Sequence, residues 1–369
     1  MSSVTPNRVT VARQLRGLTK ADVAKQVGVS AATITYWEKG EREPEPQSVH
    51  RLADVLRVPL AFFYGEAATQ ITPDSVSFRS LRTLSRQHRD RACAAAEIAS
   101  TLGQWIARRY ELPAVNIPDL SGLPAAVAAS EMRQHLRLGS GALPSMLHLL
   151  EASGVRAFAM GVDVAKADAL SAWIDGTPLV LFNTTKSAER SRNDAAHELG
   201  HLCMHRHKAP SGDKAEQDAI EFAAEFLIPS ESLRRQAPHV ASLSALIALK
   251  KAWRVSAGFM LKRLVTLDMI SDWSARALWQ RLGANGFRSG EPDGMEREHS
   301  PVLTQLVQHV RSQHAERAFA FIANETALSA ADVRALIVGL LPLTSSEGGD
   351  PAIHRMPASV AAPHLQLIR

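Results

Sequence analysis

The chain has 369 residues, 46% of them hydrophobic and 21% charged, with a formal net charge of +5. That length predicts two or three domains, and the composition excludes a wholly disordered chain. No run of 18 apolar residues is present to cross a membrane, and two cysteines, Cys93 and Cys203, exclude a disulfide scaffold. The polar start, Met1 to Asn7, lacks an apolar signal core, so a cytoplasmic protein is expected. The basic balance permits an acidic partner such as nucleic acid without demanding one.

Residues 1–64 hold dense, short helical patterns. Arg8 to Arg16 predicts a first helix, with Thr5 and Pro6 as cap and first turn. Thr19 caps a second helix running to Val27, in which Ala24 is small where the next helix must cross closely. Gly28 stands where the turn needs a left-handed backbone. Ser30 caps a third helix, from which Ile34 and Trp37 face Val23 and Val27. Gln47 to Leu56 makes a fourth, carrying Val49, Leu52, Val55 and Leu56. This segment resembles the Xre/Cro-like family of helix-turn-helix domains over residues 6–64, down to Gly28-Val29-Ser30 and Tyr36-Trp37-Glu38-Lys39-Gly40. The resemblance implies a five-helix domain whose motif helix enters the major groove of double-stranded operator DNA. By position, Ser30, Ala31, Ala32, Thr35 and Tyr36 then face base edges, and Thr19, Lys20, Lys39 and Arg42 touch phosphates. The two alanines offer only methyl contacts, so direct readout is poor in hydrogen bonds. The plain alternative is a helical protein-interaction module, and nine basic against six acidic residues in this stretch, a balance of +3, do not decide between them.

Residues 65–77 mix Gly, Ala, Thr, Pro and Ser and read as a linker. A long helical stretch follows over 78–110, with Ala95, Ala99, Leu102 and Ile106 on one face. It carries seven arginines against two acids between Arg79 and Arg109, a basic run that supplements the DNA-binding field or is a solvated face. Pro113 to Pro124 is a second break, so 78–124 reads as a connecting helix and linker. Residues 125–270 alternate helices with the β-like runs Arg156–Met160, Leu170–Ile174 and Pro178–Phe182, bounded by Gly154, Gly161 and Asp175-Gly176-Thr177.

The sharpest motif is His197-Glu198-Leu199-Gly200-His201. Histidines at i and i+4 project from one helix face and can hold one Zn²⁺, with Glu198 placed beside a bound water as general base. Pro210-Ser211-Gly212-Asp213 breaks the helix, and a second one carries Glu216, Ala219, Phe222, Ala223 and Leu227 before Pro229. Its antiparallel return could bring a carboxylate to the histidines. On spacing alone Glu216, Asp218 and Glu221 compete, and Glu225 is a more distant rival. These residues resemble the ImmA/IrrE metallopeptidase family, whose signature joins a HELGH helix and a following His to E-x-x-A-x-x-F-A-A-x-x-L-x-P. Here that reads His197 to His201, His205, then Glu216 to Pro229. The resemblance selects Glu216 as third ligand. Leu181-Phe182-Asn183, Arg192 and Phe78-Arg79-Ser80 also look familial, while Ile220 and Asp194-Ala195 depart from the usual pattern. It implies a zincin-like α+β domain and, in some members, cleavage of a repressor or antitoxin. Arg192 or His205 are loose candidates to assist; His205 and His207 are further histidines to place, and Cys203 and Cys93 read as core.

Ser242 to Leu267 holds two helical patterns joined at Arg254-Val255-Ser256, which superficially repeat a helix-turn-helix; helices completing the metal domain are the simpler reading. Residues 271–343 read as a helical interaction or dimerisation region, with Val302, Leu303, Leu306, Val307 and Val310 on one face, and 344–369 as a tail. The expected protein is mainly α with a small β-sheet. It is a DNA-binding regulator with a zinc peptidase domain, expected as a homodimer because such operators are often two-fold. The rival from another class is a non-proteolytic transcription factor whose metal domain senses a signal or scaffolds a dimer.

Overall fold

The computed structural model describes residues 3–67, 71, 76–77, 85–161, 168–206, 213–237, 242–287, 290–342 and 365–368. His207, Pro210 to Gly212, Phe78-Arg79-Ser80 and the segment 344–364 lie outside them. The chain begins with α1 (Pro6–Leu15), α2 (Lys20–Val27), α3 (Ala31–Lys39) and α4 (Pro46–Leu56), closed by a 3-10 helix at Leu60–Tyr64. Their boundaries follow from local chemistry. Thr19 and Asp22 form a reciprocal capping box, the Thr19 hydroxyl accepting from the Asp22 N–H at 3.1 Å and the Asp22 carboxylate from the Thr19 N–H at 2.9 Å. Gly28 turns the chain at φ 83°, and the Ser30 hydroxyl accepts from the Thr33 N–H. Val9, Val23, Val27, Ile34, Trp37, Leu52 and Leu56 close the core between the helices.

Val76–Ser77 form a two-residue strand, β1, inside the stretch that reads as a linker. After it α5 spans Arg86–Arg109. Every residue from Ala92 to Ala99 is buried, because small side chains let neighbours approach from all sides. α1 packs on one flank of α5, and the helix also meets the central sheet. The helix is thus a covered rod with its arginines towards the ends; Arg86 and Arg108 are exposed.

The centre of the chain runs β2 (Tyr110–Glu111), α6 (Ala125–His135), α7 (Met146–Ala152), β3 (Arg156–Met160), β4 (Ala169–Ile174), β5 (Thr177–Asn183), α8 (Ala188–Met204) and α9 (Asp213–Leu227). One sheet has the order β1-β4-β5-β3. β3 and β5 are parallel, whereas β4 is antiparallel to β5 and to β1. Asp175 and Gly176 both adopt positive φ, the tight hairpin turn that Asp-Gly favours between β4 and β5. α8 lies across β4 and β5, and α9 packs against both α8 and α6.

Helices α10 (Ser230–Gln236), α11 (Leu243–Trp253), α12 (Ala257–Thr266), α13 (Asp272–Ala284), α14 (Pro301–His314), α15 (Ala318–Thr326) and α16 (Ala330–Ile337) follow. Last comes β6 (Gln366–Leu367), which pairs with β2. The α2–α3 turn recurs twice here. Arg254-Val255-Ser256 and Ala327-Leu328-Ser329 repeat Gly28-Val29-Ser30: a left-handed residue, an apolar residue and a serine cap. In each the apolar N–H reaches back five residues, Val29 to the Ala24 carbonyl at 3.0 Å, Val255 to Lys250 and Leu328 to Ala323 both at 3.1 Å. α16 reaches the N-terminal helices, where Asp332 accepts both ends of the Arg16 guanidinium at 2.8 Å. Arg109 of α5 pairs with Glu325 of α15.

Candidate metal centre and nucleic-acid interface

Two imidazoles and one carboxylate meet between α8 and α9. His197 and His201 stand one turn apart with their Nε2 atoms 3.0 Å from each other. Glu216, in the first turn of α9, places its carboxylate 3.3 Å from His197 Nε2 and 3.6 Å from His201 Nε2. Two imidazole nitrogens and a carboxylate oxygen converging on one point form a donor set that a divalent cation would satisfy. The spacing suits it: ligand atoms about 2.1 Å from a tetrahedral zinc stand about 3.4 Å apart. Glu216 Oε2 is buried without a hydrogen-bond partner among the described residues, another sign of a donor set built for something else.

The helices approach closely because position 200 is glycine. A Cβ there would lie 3.0 Å from the Phe222 ring of α9. The rivals to Glu216 are placed elsewhere. Glu225 accepts from the Ser230 N–H and pairs with Arg263, capping α10, while Glu221 is exposed on the outer face of α9. Asp218 is half-buried and acts on His205, favouring its charged form, but burial dominates and lowers the His205 pKa. His205 caps the end of α8, its Nδ1 3.1 Å from His201 Nδ1. Arg192 is fully buried and committed to Glu298 and the Leu143 carbonyl. Cys203 packs against Met132 and burial raises its thiol, as it pushes Cys93 up to about 12.

Glu198 is 2% exposed and accepts a 2.6 Å hydrogen bond from the Ser171 hydroxyl of β4. Sequence reasoning did not single out Ser171. The signal was available: it is the lone polar residue of the run Leu170–Ile174, and alternation along a strand puts it on the same face as Trp173, whose indole donates to the Leu202 carbonyl of α8 at 3.1 Å.

On the N-terminal domain, Ser30, Ala31, Ala32 and Tyr36 are exposed along one face of α3, with Tyr36 at 46%. Thr19, Lys39 and Arg42 are exposed beside them. Lys20 and Thr35 are partly engaged within the fold. The Lys20 ammonium lies 3.1 Å from Glu38 and donates to the Thr35 hydroxyl at 3.3 Å, and the Thr35 hydroxyl itself donates to the Ala31 carbonyl. Arg13 holds the other side of Glu38 at 2.6 Å.

The fold and the two sites define a regulator-type chain in which a DNA-binding helix-turn-helix precedes a metallopeptidase-like domain. Residues 11–63 match the helix-turn-helix family model and residues 150–265 match the model of the IrrE N-terminal-like domain. Over those residues the chain thus carries an Xre-like helix-turn-helix domain followed by a domain of the ImmA/IrrE-like peptidase family. No curated protein and no solved structure matches it. No helix among the described residues is long and apolar enough to cross a membrane.

Proposed function

We propose that this is a cytoplasmic, dimeric transcriptional regulator whose second domain is a zinc-dependent endopeptidase that cleaves a regulatory protein, a repressor or antitoxin. DNA reading belongs to residues 1–64 and the metal domain to 125–270. The observation that carries the enzymatic part is the meeting of His197, His201 and Glu216 beside a carboxylate, Glu198, held by its own hydrogen bond. The two Nε2 atoms and the Glu216 carboxylate would hold Zn²⁺, which when bound supplies Lewis acidity and lowers the pKa of a water. The chain's own groups do the proton work. Ser171 donates to one Glu198 oxygen and so fixes the rotation of the carboxylate. Glu198 accepts the proton of the attacking water and returns it to the leaving amine nitrogen. On the other domain, the exposed face of α3 enters the major groove with Ser30, Ala31, Ala32, Thr35 and Tyr36, while Thr19, Lys20, Lys39 and Arg42 contact phosphates.

A sensing or scaffolding role for the metal domain draws support from one observation: His197, Glu198 and His201 are each 3% exposed or less. The two readings separate at Glu198→Gln. Elemental mass spectrometry of protein purified without chelators should find one zinc per chain, lost or weakened in Glu216→Ala. Glu198→Gln should keep zinc and operator binding and abolish cleavage of the partner. Cleavage at the wild-type rate in Glu198→Gln would remove the base assignment. No zinc in folded wild-type protein after zinc addition would remove the enzymatic reading.

A further inference from the structure

We propose that β1 is an internal occupant of the sheet edge through which an extended polypeptide reaches the metal centre, so that the intact chain shields its own site. This rests on the reading above in one respect, that the metal domain receives a polypeptide. β5 pairs with β4 along its full length, Ala169 to Ile174, leaving the opposite edge of β4 as the open one. Among the described residues β1 takes that edge with Val76 opposite Ala172 and Ser77 opposite Ser171. Ser171 is also the residue whose hydroxyl holds Glu198. Two residues on, Trp173 is tied to the Leu202 carbonyl, so β4 runs beside the helix that carries both histidines. The backbone of β1 therefore lies about one strand spacing, roughly 4.8 Å, from the residue that positions Glu198.

An open sheet edge is a general docking surface for an extended peptide. Main-chain hydrogen bonds supply the affinity, and the partner's side chains need match little. Here the edge is filled antiparallel by backbone from the segment that joins the DNA-binding helices to α5. That segment is fastened on both sides of β1. The Ile71 N–H donates to the buried Glu97 carboxylate of α5 at 3.1 Å, and Ser85 is the N-cap residue of α5. A strand tethered in this way competes at an effective concentration in the millimolar range. A strand that pairs along more of β4 than the positions opposite Ala172 and Ser171 would displace it. The occupant this edge fits is thus an extended, uncapped polypeptide segment, and β1 is its stand-in.

Val76→Cys combined with Ala172→Cys tests the placement, since directly opposed residues of antiparallel strands fall within disulfide reach. The native Cys93 and Cys203 are buried and do not compete. The full-length, zinc-loaded chain carries Glu198→Gln in addition, so that no peptide is cut. Mild oxidation should bridge the pair, read by peptide mass mapping. The probe is a fluorescent synthetic peptide with the sequence of residues 71–80, followed by anisotropy. It should bind the oxidised form about tenfold or more weakly than the reduced form of the same protein. Ser77→Pro, which removes a backbone donor from β1, should bind the peptide more tightly than its parent. Failure of the bridge to form overturns the placement of β1. Equal binding by oxidised and reduced forms, or no binding by any form, overturns its role as occupant. Redox-dependent binding by a chain that, with Glu198 intact, cleaves no protein would uphold the occupant and remove the endopeptidase reading.

Discussion

Replacing Gly200 by alanine sets two known effects against each other at the point where the metal-bearing helices touch. In a helix interior, glycine is less favourable than alanine by about 1 kcal/mol, so on propensity alone Gly200→Ala stabilises. The added Cβ, however, would stand 3.0, 3.1 and 3.3 Å from Cδ1, Cγ and Cβ of Phe222. Phe222 is fully buried and stacks on Phe226 with ring centroids 5.5 Å apart, so it has no free volume to swing into. Overpacking of this kind costs about 1–3 kcal/mol. The net expectation is a loss of about 0–2 kcal/mol in the metal-free protein, measured by urea unfolding. The metal is the more sensitive readout. Relief requires α9 to shift by a few tenths of an ångström, and Glu216 sits on that helix, about 9 Å along its axis from Phe222. A built zinc site tolerates about 0.2 Å in its ligand distances, so zinc affinity should fall by about tenfold or more in a chelator competition. A variant about 1 kcal/mol more stable with unchanged zinc affinity would show that the α8–α9 contact is slack and would refute the reasoning.

Three further expectations concern other parts of the molecule. The Arg16–Asp332 pair is bidentate and mostly buried, so a double-mutant cycle with alanine at each position should give a coupling of about 1–3 kcal/mol; a value near zero would mean that α16 rests on the N-terminal helices through other contacts. Burial raises the Glu97 carboxyl to about 7, against the opposing pull of the Ile71 N–H and of Arg8. The folded chain therefore holds more protons than the unfolded chain between about 4.5 and 7. This contribution is complete below about 4.5 and disappears as pH rises through about 7, a change of about 3 kcal/mol. Glu97→Gln should flatten the decline in unfolding free energy between pH 5 and 8, and parallel pH profiles would remove the assignment. Lys39→Ala and Arg42→Ala should each lower the salt slope of operator binding by about 1 without changing which sequence is preferred; unchanged slopes in both would place the phosphate backbone elsewhere.

Much of this architecture was written locally. The caps Thr19, Ser30, Ser256 and Ser329, the Asp-Gly turn and the i, i+4 histidines each act within a few residues, so they are readable without knowing what lies across the molecule. Choosing among the carboxylates of α9 was different. Glu216, Asp218 and Glu221 differ only in how α9 is rotated against α8, and that rotation is set by Phe222 meeting Gly200. Ser171 and β1 were harder still. A hydroxyl in an apolar strand gains meaning only once α8 lies over it, and two residues of a Pro- and Ser-containing linker have no strand signal apart from the edge they fill. The arginines around α5 misdirect in the same way: charge at the ends of a helix reads as a solvated face, although its alanine centre is covered on every side.

That covered rod has a consequence for how the molecule comes apart. α1 of the DNA-binding helices, α15 near the C-terminus and strands β3 and β5 under the metal centre all rest on α5. They meet it at different points along its length, Phe158 of β3 beside Gly103 and Glu325 of α15 at Arg109, so the helix cannot loosen without disturbing all of them. The functional units of the chain are therefore not its units of melting. Heat or denaturant should dismantle reader and metal domain in a single cooperative step, and the amides of Ala92 to Ala99 should be among the last to exchange with solvent.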